Sequence, residues 1–368
     1  MSPHGSCVEQ SGSNPAARSR QFTRLWSTTV QRSPANDKMA AVLDSGDHGH
    51  DEPAERRPLR ENEADLTATA ALLRRCFDPA PHGSVEYLRW FYFRNPVGPV
   101  LSFDHHEGDT KVAQYAAIPQ RYTRRDSEPL TLGLSVDTAV DPQVRLKRLF
   151  IQLANITFSA ATELGWAGIY GTANANSTPG FVKYLGAEPA GHFPVRGVMA
   201  PWRRRGRRCA LDVTTEALHG SQFSELLATI DFSPGERFSH EWDADVLRWR
   251  LGSPISKYSV LWDDNVVIVT TRQNLRFGAA TVVLKMFARR GAPPRTSALA
   301  LVGYACRRDR TPFAVYAGFN ARVTLPGIAI PRRFLPSPLN LLLHPLVPGL
   351  SGATIDIETI EFLDFDQY

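Results

Sequence analysis

Two residues suited to proton transfer lie in the most informative part of the chain, residues 90–191. Asp137, on a predicted strand, is a candidate general base or amine-binding group, because an ionised carboxylate accepts a proton. Tyr184, on a short predicted helix, is a candidate proton donor. Each also has a structural interpretation: Asp137 as a solvated or hydrogen-bonded acid, and Tyr184 as a packing residue. Asp141 and Glu163 are weaker candidates for the base.

Metal and disulfide chemistry are not indicated by the sequence. The four cysteines are far apart, and there is no CxxC pair and no His/Cys cluster, so we expect no metal site and reduced thiols in the cytoplasm. Three histidines have no acid at triad or metal spacing and are expected at the surface. They are His105, His106 and His192.

Hydrophobic periodicity predicts the elements that would position Asp137. Apolar residues at helical spacing predict helices, the second of them capped by Ser84, over residues 61–77, 84–93, 146–164 and 178–186. Alternating patterns predict strands over residues 100–105, 111–122, 130–140 and 166–171. Antiparallel strands followed by a β-α-β unit predict an α+β fold, with a mixed, mostly antiparallel sheet flanked by helices.

A short internal echo favours a second copy of this domain. Leu88-Arg89-Trp90 precedes a proline by six residues, and Leu247-Arg248-Trp249 precedes another by five. Strand-like patterns follow the second triplet, at residues 258–263, 265–272, 279–287 and 299–306. A triplet match also arises by chance, so the echo alone does not establish a repeat.

Composition divides the 368-residue chain into four segments. Residues 1–58 have little apolar periodicity and are predicted to be disordered. A first domain over 59–200, a basic linker over 201–212 and a second domain over 213–368 follow. The net charge of +5 is mild and no run of 18 apolar residues occurs, so neither a nucleic-acid partner nor a membrane helix is expected.

The ordered motifs of residues 60–200 resemble those of GNAT N-acyltransferases. The matching runs are the strand Gln114 to Pro119, the strand-turn-helix Leu134 to Phe150, the loop Gly171 to Phe181 and the closing turn Lys183-Tyr184-Leu185-Gly186. The second domain is interpreted as another GNAT-like domain, which can be a degenerate copy. The resemblance implies acetyl-CoA or another acyl-CoA as co-substrate, no metal, and a small-molecule amine as acceptor.

The resemblance also implies which residues hold the acyl-CoA. Strand backbone would pair with the pantetheine amides, and the start of the following helix would hold the diphosphate. The implied set is Thr138, Ala139, Val140, Arg145, Leu146, Lys147, Arg148, Leu149 and Asn176.

The sequence departs from the family at two places. Its phosphate loop has two glycine positions, which Leu146 and Arg148 fill here, so that a side chain stands where backbone would approach phosphate. Arg145, Lys147 and Arg148 add positive charge there. The position of the family's tyrosine, four residues before the closing Gly186, is Val182.

Three functions remain open from the sequence. The first is transfer of an acyl group, acetyl above all, to the primary amine of an amino sugar, an amino acid or a similar molecule. The second is a non-catalytic acyl-CoA-binding or scaffold protein on the same fold. The third is a Fem-type aminoacyltransferase, which takes its acyl group from tRNA.

Overall fold

A computed structural model describes residues 56–77, 82–144, 148–173, 177–199, 207–275, 278–332, 335 and 339–365. Within these residues the helices are α1 Glu63–Cys76, α2 Val85–Phe93, α3 Leu149–Glu163, α4 Thr178–Leu185, α5 Thr215–His219, α6 Ser221–Thr229, α7 Ala244–Leu251, α8 Leu299–Asp309 and a 3-10 turn at Phe362–Asp364.

The strands are β1 Arg56–Pro58, β2 Leu101–Glu107, β3 Thr110–Thr123, β4 Leu130–Val140, β5 Gly168–Ala173, β6 Glu188–His192, β7 Val195–Val198, β8 Cys209–Asp212, β9 Phe238–His240, β10 Ser259–Trp262, β11 Val266–Leu275, β12 Gly278–Ala288, β13 Thr296–Ser297, β14 Ala314–Asn320, β15 Val323–Thr324, β16 Ile328–Ala329, β17 Asn340–Pro345 and β18 Ile357–Glu361.

The elements predicted up to residue 186 are confirmed, with ends shifted by a few residues. Ser84 caps α2 as predicted, because its side chain accepts a hydrogen bond from the backbone N–H of Tyr87. Residues 1–55 of the predicted disordered segment, and residues 201–206 of the predicted linker, lie outside the described ranges. The ends of these two segments form strands β1 and β8.

The first half builds a sheet in which α3 connects two parallel strands. Strands β2, β3 and β4 are antiparallel neighbours, and β4 pairs with β5 in parallel. The apolar face of α3 covers one side of this sheet, around Tyr115 and Ala117, while α1 and α2 cover the other side, around Ala116 and Ile118. The α+β class with a mixed, mostly antiparallel sheet is confirmed.

The second half repeats the same order of elements. Helix α7, strands β10, β11 and β12, helix α8 and strand β14 correspond to α2, β2, β3, β4, α3 and β5, and β12 pairs with β14 in parallel. The strand predicted over residues 299–306 is wrong, since this segment lies in α8. Its apolar residues Leu301, Val302 and Ala305 are at helical spacing and pack on the second sheet.

The two halves exchange strands. Strand β7, from the first half, pairs with β14 of the second, and β17, from the second half, lies between β5 and β6 of the first. Strands β9 and β18 connect the two sheets, so that sixteen of the described strands form one continuous sheet. The first sheet therefore depends on a strand that lies about 150 to 180 residues further along the sequence than its partners.

The triplets of the sequence echo meet at the centre of the molecule. The indole Nε1 of Trp90 donates to the carbonyl oxygen of Trp249 at 2.9 Å, and the indole Nε1 of Trp249 donates to the carbonyl oxygen of Trp90 at 3.1 Å. Their rings lie 5.7 Å apart. Reciprocal contacts of this kind are expected of two copies related by an approximate two-fold axis.

Candidate active-site cleft

Strands β4 and β5 separate after only three residue pairs. Leu132, Gly133 and Leu134 pair with Gly168, Ile169 and Tyr170, and the described strands then continue as far as Val140 and Ala173 without pairing to each other. At the apex of this V the strands are close, because a Cβ placed on Gly171 would lie 3.4 Å from the Cβ of Ser135. The V is open towards the start of α3.

A small cleft lies along this V on the side covered by α3. Its wall is mostly apolar and is formed by α3, α4, strands β3, β4 and β5, and the exchanged strand β17. The lining residues are Tyr115, Ser135, Phe158, Ile169, Tyr170, Gly171, Thr172, Ala173, Ser177, Phe181, Ala187, Leu342 and His344.

Asp137 occupies a bulge in β4 where the V opens. Ala116 of β3 pairs with Val136 and Gln114 pairs with Ala139, so two residues of β4 face one of β3. The bulge gives Asp137 a φ of +44°, in the left-handed region. The side-chain amide of Gln114 donates to the backbone oxygen of Asp137 at 2.8 Å and so stabilises the bulge.

The carboxylate of Asp137 faces α2, on the side of the sheet opposite the cleft. The hydroxyl of Tyr92 donates to Asp137 Oδ2 at 3.0 Å, and Nδ1 of His82 lies 4.0 Å from Oδ1. The Asp137 side chain is only 8% exposed. Burial raises the pKa of Asp137 to about 6, and the hydrogen bond from Tyr92 limits the rise. A carboxyl with this pKa is ionised at neutral pH and able to accept a proton.

The other residues that the resemblance implies for acyl-CoA binding differ in how far they are buried. Thr138 and Val140 are half-buried in the diverging part of β4, whereas Ala139 and Leu149 are buried in the core. Arg145, Leu146, Lys147 and Asn176 lie outside the described residues.

Arg148 precedes α3 and fills one of the two missing glycine positions. Its φ of +52° lies in the left-handed region that favours glycine, although a side chain is present. Its carbonyl oxygen accepts from the N–H groups of Ile151 and Gln152, which begins the helix. The backbone therefore keeps a conformation typical of glycine even though the residue has changed to arginine.

Several candidates from the sequence serve other purposes. Asp141 pairs with Arg75 of α1 at 2.6 Å and accepts the N–H of Gln143, so it stabilises the turn after β4. Among the described residues, Tyr184 is not part of the cleft lining, and Lys183 lies over its ring at 5.1 Å.

One further sequence prediction is wrong. His105, expected at the surface, is buried at 5% exposure, because it lies on the inner part of β2.

The equivalent V in the second half is filled by the chain itself. Strands β12 and β14 also separate after three pairs, from Thr281–Ala314 to Val283–Tyr316. Strand β18 enters the gap and pairs with β14, where Ile360 faces Phe319. Gly318 allows this close approach, since a Cβ there would lie 2.2 Å from the carbonyl oxygen of Ile360.

Buried charges secure β18 in the second V. Lys285 of β12 contacts Asp364 at 2.7 Å and Glu361 at 3.3 Å, and all three side chains are almost completely buried. The ammonium group of Lys285 holds the pKa of Asp364 well below its usual range against the effect of burial. Trp242 also donates to Asp364, at 2.7 Å. The second V is therefore closed by a satisfied polar network.

The described residues include no group of His, Cys, Asp and Glu side chains that could hold a metal ion. Within the same residues, no helix is long and apolar enough to cross a membrane.

Solved structures show which fold this is. No family model matches the sequence, and none of the curated proteins matches it significantly. A GCN5-related N-acetyltransferase from Anabaena variabilis aligns with a TM-score of 0.52 at 10% identity, over 80% of this chain and 73% of that one. Another from Kribbella flavida aligns with a TM-score of 0.50 at 14% identity, over 79% and 71%. The chain has a tandem GNAT-type fold.

The first V is open along the described parts of β4 and β5, whereas the second V is filled by β18. The open edges of β4 and β5 can pair with the amides of a pantetheine arm, as one strand pairs with another. From Ser135 to Val140 the strand spans about 16 Å, at roughly 3.3 Å per residue. An extended arm whose diphosphate lies at the start of α3 would therefore place its sulfur near Ser135 and Asp137. In the second V this path is occupied by β18.

Proposed function

We propose that this protein is an N-acyltransferase that moves an acyl group, acetyl above all, from acyl-CoA to the primary amine of a small molecule such as an amino sugar or an amino acid. The observation that carries the proposal is the first V, which opens beside a cleft and has the buried carboxylate of Asp137 at its edge. Solved N-acetyltransferases of the same fold support the reaction class.

The proposal gives the two halves different roles. The first half, residues 59–200, binds one acyl-CoA through the diverging ends of β4 and β5 and the start of α3. The second half, residues 213–368, has its own V filled, and it contributes β17 to the wall of the first cleft. It would also shape the acceptor side, since binding sites are common between domains.

In the proposed reaction, Asp137 accepts one proton from the acceptor's ammonium group. The neutral amine then attacks the thioester carbonyl, a C–N bond forms, and the C–S bond breaks to release the CoA thiol. Asp137 returns its proton to solvent. Tyr92 and Gln114 hold the carboxylate and its bulge in place, while the apolar wall of the cleft excludes water from the thioester.

The test measures binding and transfer separately. Thermal shift with acetyl-CoA and longer acyl-CoAs should show stabilisation, because a ligand that binds only the folded state raises its melting temperature. Transfer is then assayed by CoA release over a panel of amino sugars and amino acids. Absence of stabilisation by every acyl-CoA would overturn the proposal, and stabilisation without transfer would favour the non-catalytic alternative.

Asp137→Asn tests the assigned base. We expect a transfer rate lower by about 100-fold to 10,000-fold, the usual contribution of a general base, with acetyl-CoA binding retained. The matched control is Asp309→Asn in the second half. It removes another carboxyl whose pKa burial raises, outside the cleft, and should leave the rate unchanged. Equal rates for wild type and Asp137→Asn would show that Asp137 is not the base.

A further inference from the structure

The cleft begins at the apex of the first V and continues from there between the sheet and helices α3 and α4. Ser135 and Gly171, which come close to each other at the apex, line its beginning. Its floor continues onto the exchanged strand β17, where Leu342 lies opposite Gly171 and His344 lies opposite Ile169. An extended arm that places its sulfur near Ser135 would therefore direct an acyl chain into this cleft.

Small residues leave the cleft unfilled. Gly171, Ala173 and Ala187 line it, and none of them has a side chain larger than a methyl group. Phe158 of α3 and Phe181 of α4 line it from the helix layer, and its volume is about 60 Å³. An apolar cavity of about 150 Å³ binds benzene, which corresponds to about 25 Å³ for each carbon, so this cleft has room for about two or three carbons.

The described wall of the cleft carries no charge at neutral pH. His344 stacks on Phe158 with ring centroids 4.3 Å apart, and burial lowers the pKa of its imidazole, which is therefore neutral. None of the described lining residues is an aspartate, glutamate, lysine or arginine. Because an unpaired carboxylate is costly to bury, this wall favours an aliphatic chain over a chain that ends in an acid.

We propose that the first V selects short aliphatic acyl groups, and that its cleft binds the chain of a propionyl or butyryl thioester. This inference rests on the proposed function and extends its donor from acetyl to this class. With the thioester carbonyl at the apex, propionyl places two carbons in the cleft and butyryl three, which matches the volume, whereas hexanoyl exceeds it. Because Leu342 and His344 of β17 bound the cleft, the second half sets the chain length.

The first experiment measures by calorimetry the Kd of acetyl-, propionyl-, butyryl-, hexanoyl- and succinyl-CoA on wild type. Burying one methylene strengthens binding by up to about fourfold, so Kd should fall by about this factor from acetyl to propionyl and again to butyryl. Hexanoyl-CoA should bind more weakly than butyryl-CoA, because its last carbons have no room. Succinyl-CoA has as many acyl carbons as butyryl-CoA but ends in a carboxylate, and should bind at least about tenfold more weakly.

Two variants change the length of the chain that fits. Ala187→Val adds two methyl groups to the wall, so the ratio of the Kd values of acetyl-CoA and butyryl-CoA should approach one. Leu342→Ala removes three carbons from β17, and hexanoyl-CoA should then become the tightest ligand. The matched controls are Ala190→Val in β6 and Leu343→Ala in β17, which pack in a different part of the core and should keep the wild-type order of ligands.

The outcomes separate this inference from the proposed function. If neither CoA nor any acyl-CoA binds, the proposed function fails and the inference fails with it. If acetyl-CoA binds, but Kd is the same for acetyl and butyryl or continues to fall at hexanoyl, only the acyl-chain cleft is overturned. Tighter binding of succinyl-CoA than of butyryl-CoA would overturn its aliphatic selectivity. If a variant does not fold, the wild-type series alone decides, because the order of its five ligands already tests the length limit.

Discussion

The hydrogen bond from Tyr92 to Asp137 predicts both the direction and the size of a change in the pKa of Asp137. The Tyr92 hydroxyl donates to the carboxylate at 3.0 Å and so stabilises its ionised form. Tyr92→Phe removes this donor but keeps the ring that packs in the core. The pKa of Asp137, which burial has already raised to about 6, should then rise further.

The size follows from the strength of a hydrogen bond to a charged group. Such bonds contribute about 1.5–3 kcal/mol, and one pKa unit corresponds to about 1.4 kcal/mol, so the rise should be about one to two units. A base works only when ionised, and the acidic limb of activity should therefore move from about pH 6 to about pH 7–8. At pH 6 the ionised fraction, and with it the rate, should fall about fivefold to fiftyfold.

The assay is kcat/KM for acetyl transfer as a function of pH, which reports ionisations of the free enzyme. The imidazole of His82, whose Nδ1 lies 4.0 Å from Asp137, also faces the carboxylate from this side, so His82→Gln is measured in parallel to separate its contribution. Tyr258→Phe serves as the control for loss of a buried hydroxyl. An acidic limb for Tyr92→Phe that stays in place, or moves to lower pH, would refute the reasoning.

Three further predictions concern the backbone and the second V. Because β18 fills the second V, calorimetry should give one acyl-CoA per chain, and two would contradict the assignment. Arg148→Gly removes the strain of a left-handed arginine but increases the conformational entropy of the unfolded chain. Chemical unfolding should therefore show a free energy of unfolding higher by about 0.5–1 kcal/mol, and a lower value would show that other contacts of Arg148 dominate. Gly318→Ala should lower the free energy of unfolding by at least about 2 kcal/mol, because the added Cβ would meet β18. The control Gly291→Ala, also at positive φ but in open space, should lower it by about 1 kcal/mol. Equal losses would argue against the close approach of β18 to Gly318.

The first half was predictable because its signals are local. The N-cap at Ser84, the alternation over Leu130–Val140 and the turn at Gly186 each depend on a few neighbouring residues. The same local patterns failed at residues 299–306, where a short apolar run fits a buried strand as well as a helix. The Leu-Arg-Trp echo was informative, and its two tryptophans bond to each other.

The exchange of strands and the filling of the second V could not be read from the sequence. Leu341, Leu342 and Leu343 are apolar wherever the chain places them, and nothing local indicates that β17 joins a sheet formed far earlier in the chain. Glu361 lies at the end of β18, and its partner Lys285 is 76 residues away. Pairings of this separation are decided by the whole fold.

The candidate site, like the fold, was only partly predictable from the sequence. Asp137 could be selected because it is an acid on the characteristic strand, and the structure adds its bulge and its partner Tyr92.

The central claim is that the first V binds acyl-CoA and the second does not. The most direct test is a crystal structure with acetyl-CoA. We expect the pantetheine arm to lie between β4 and β5, with its diphosphate at the start of α3 and its thioester near Asp137, while β18 remains between β12 and β14. An arm bound between β12 and β14, or a diphosphate remote from α3, would contradict it.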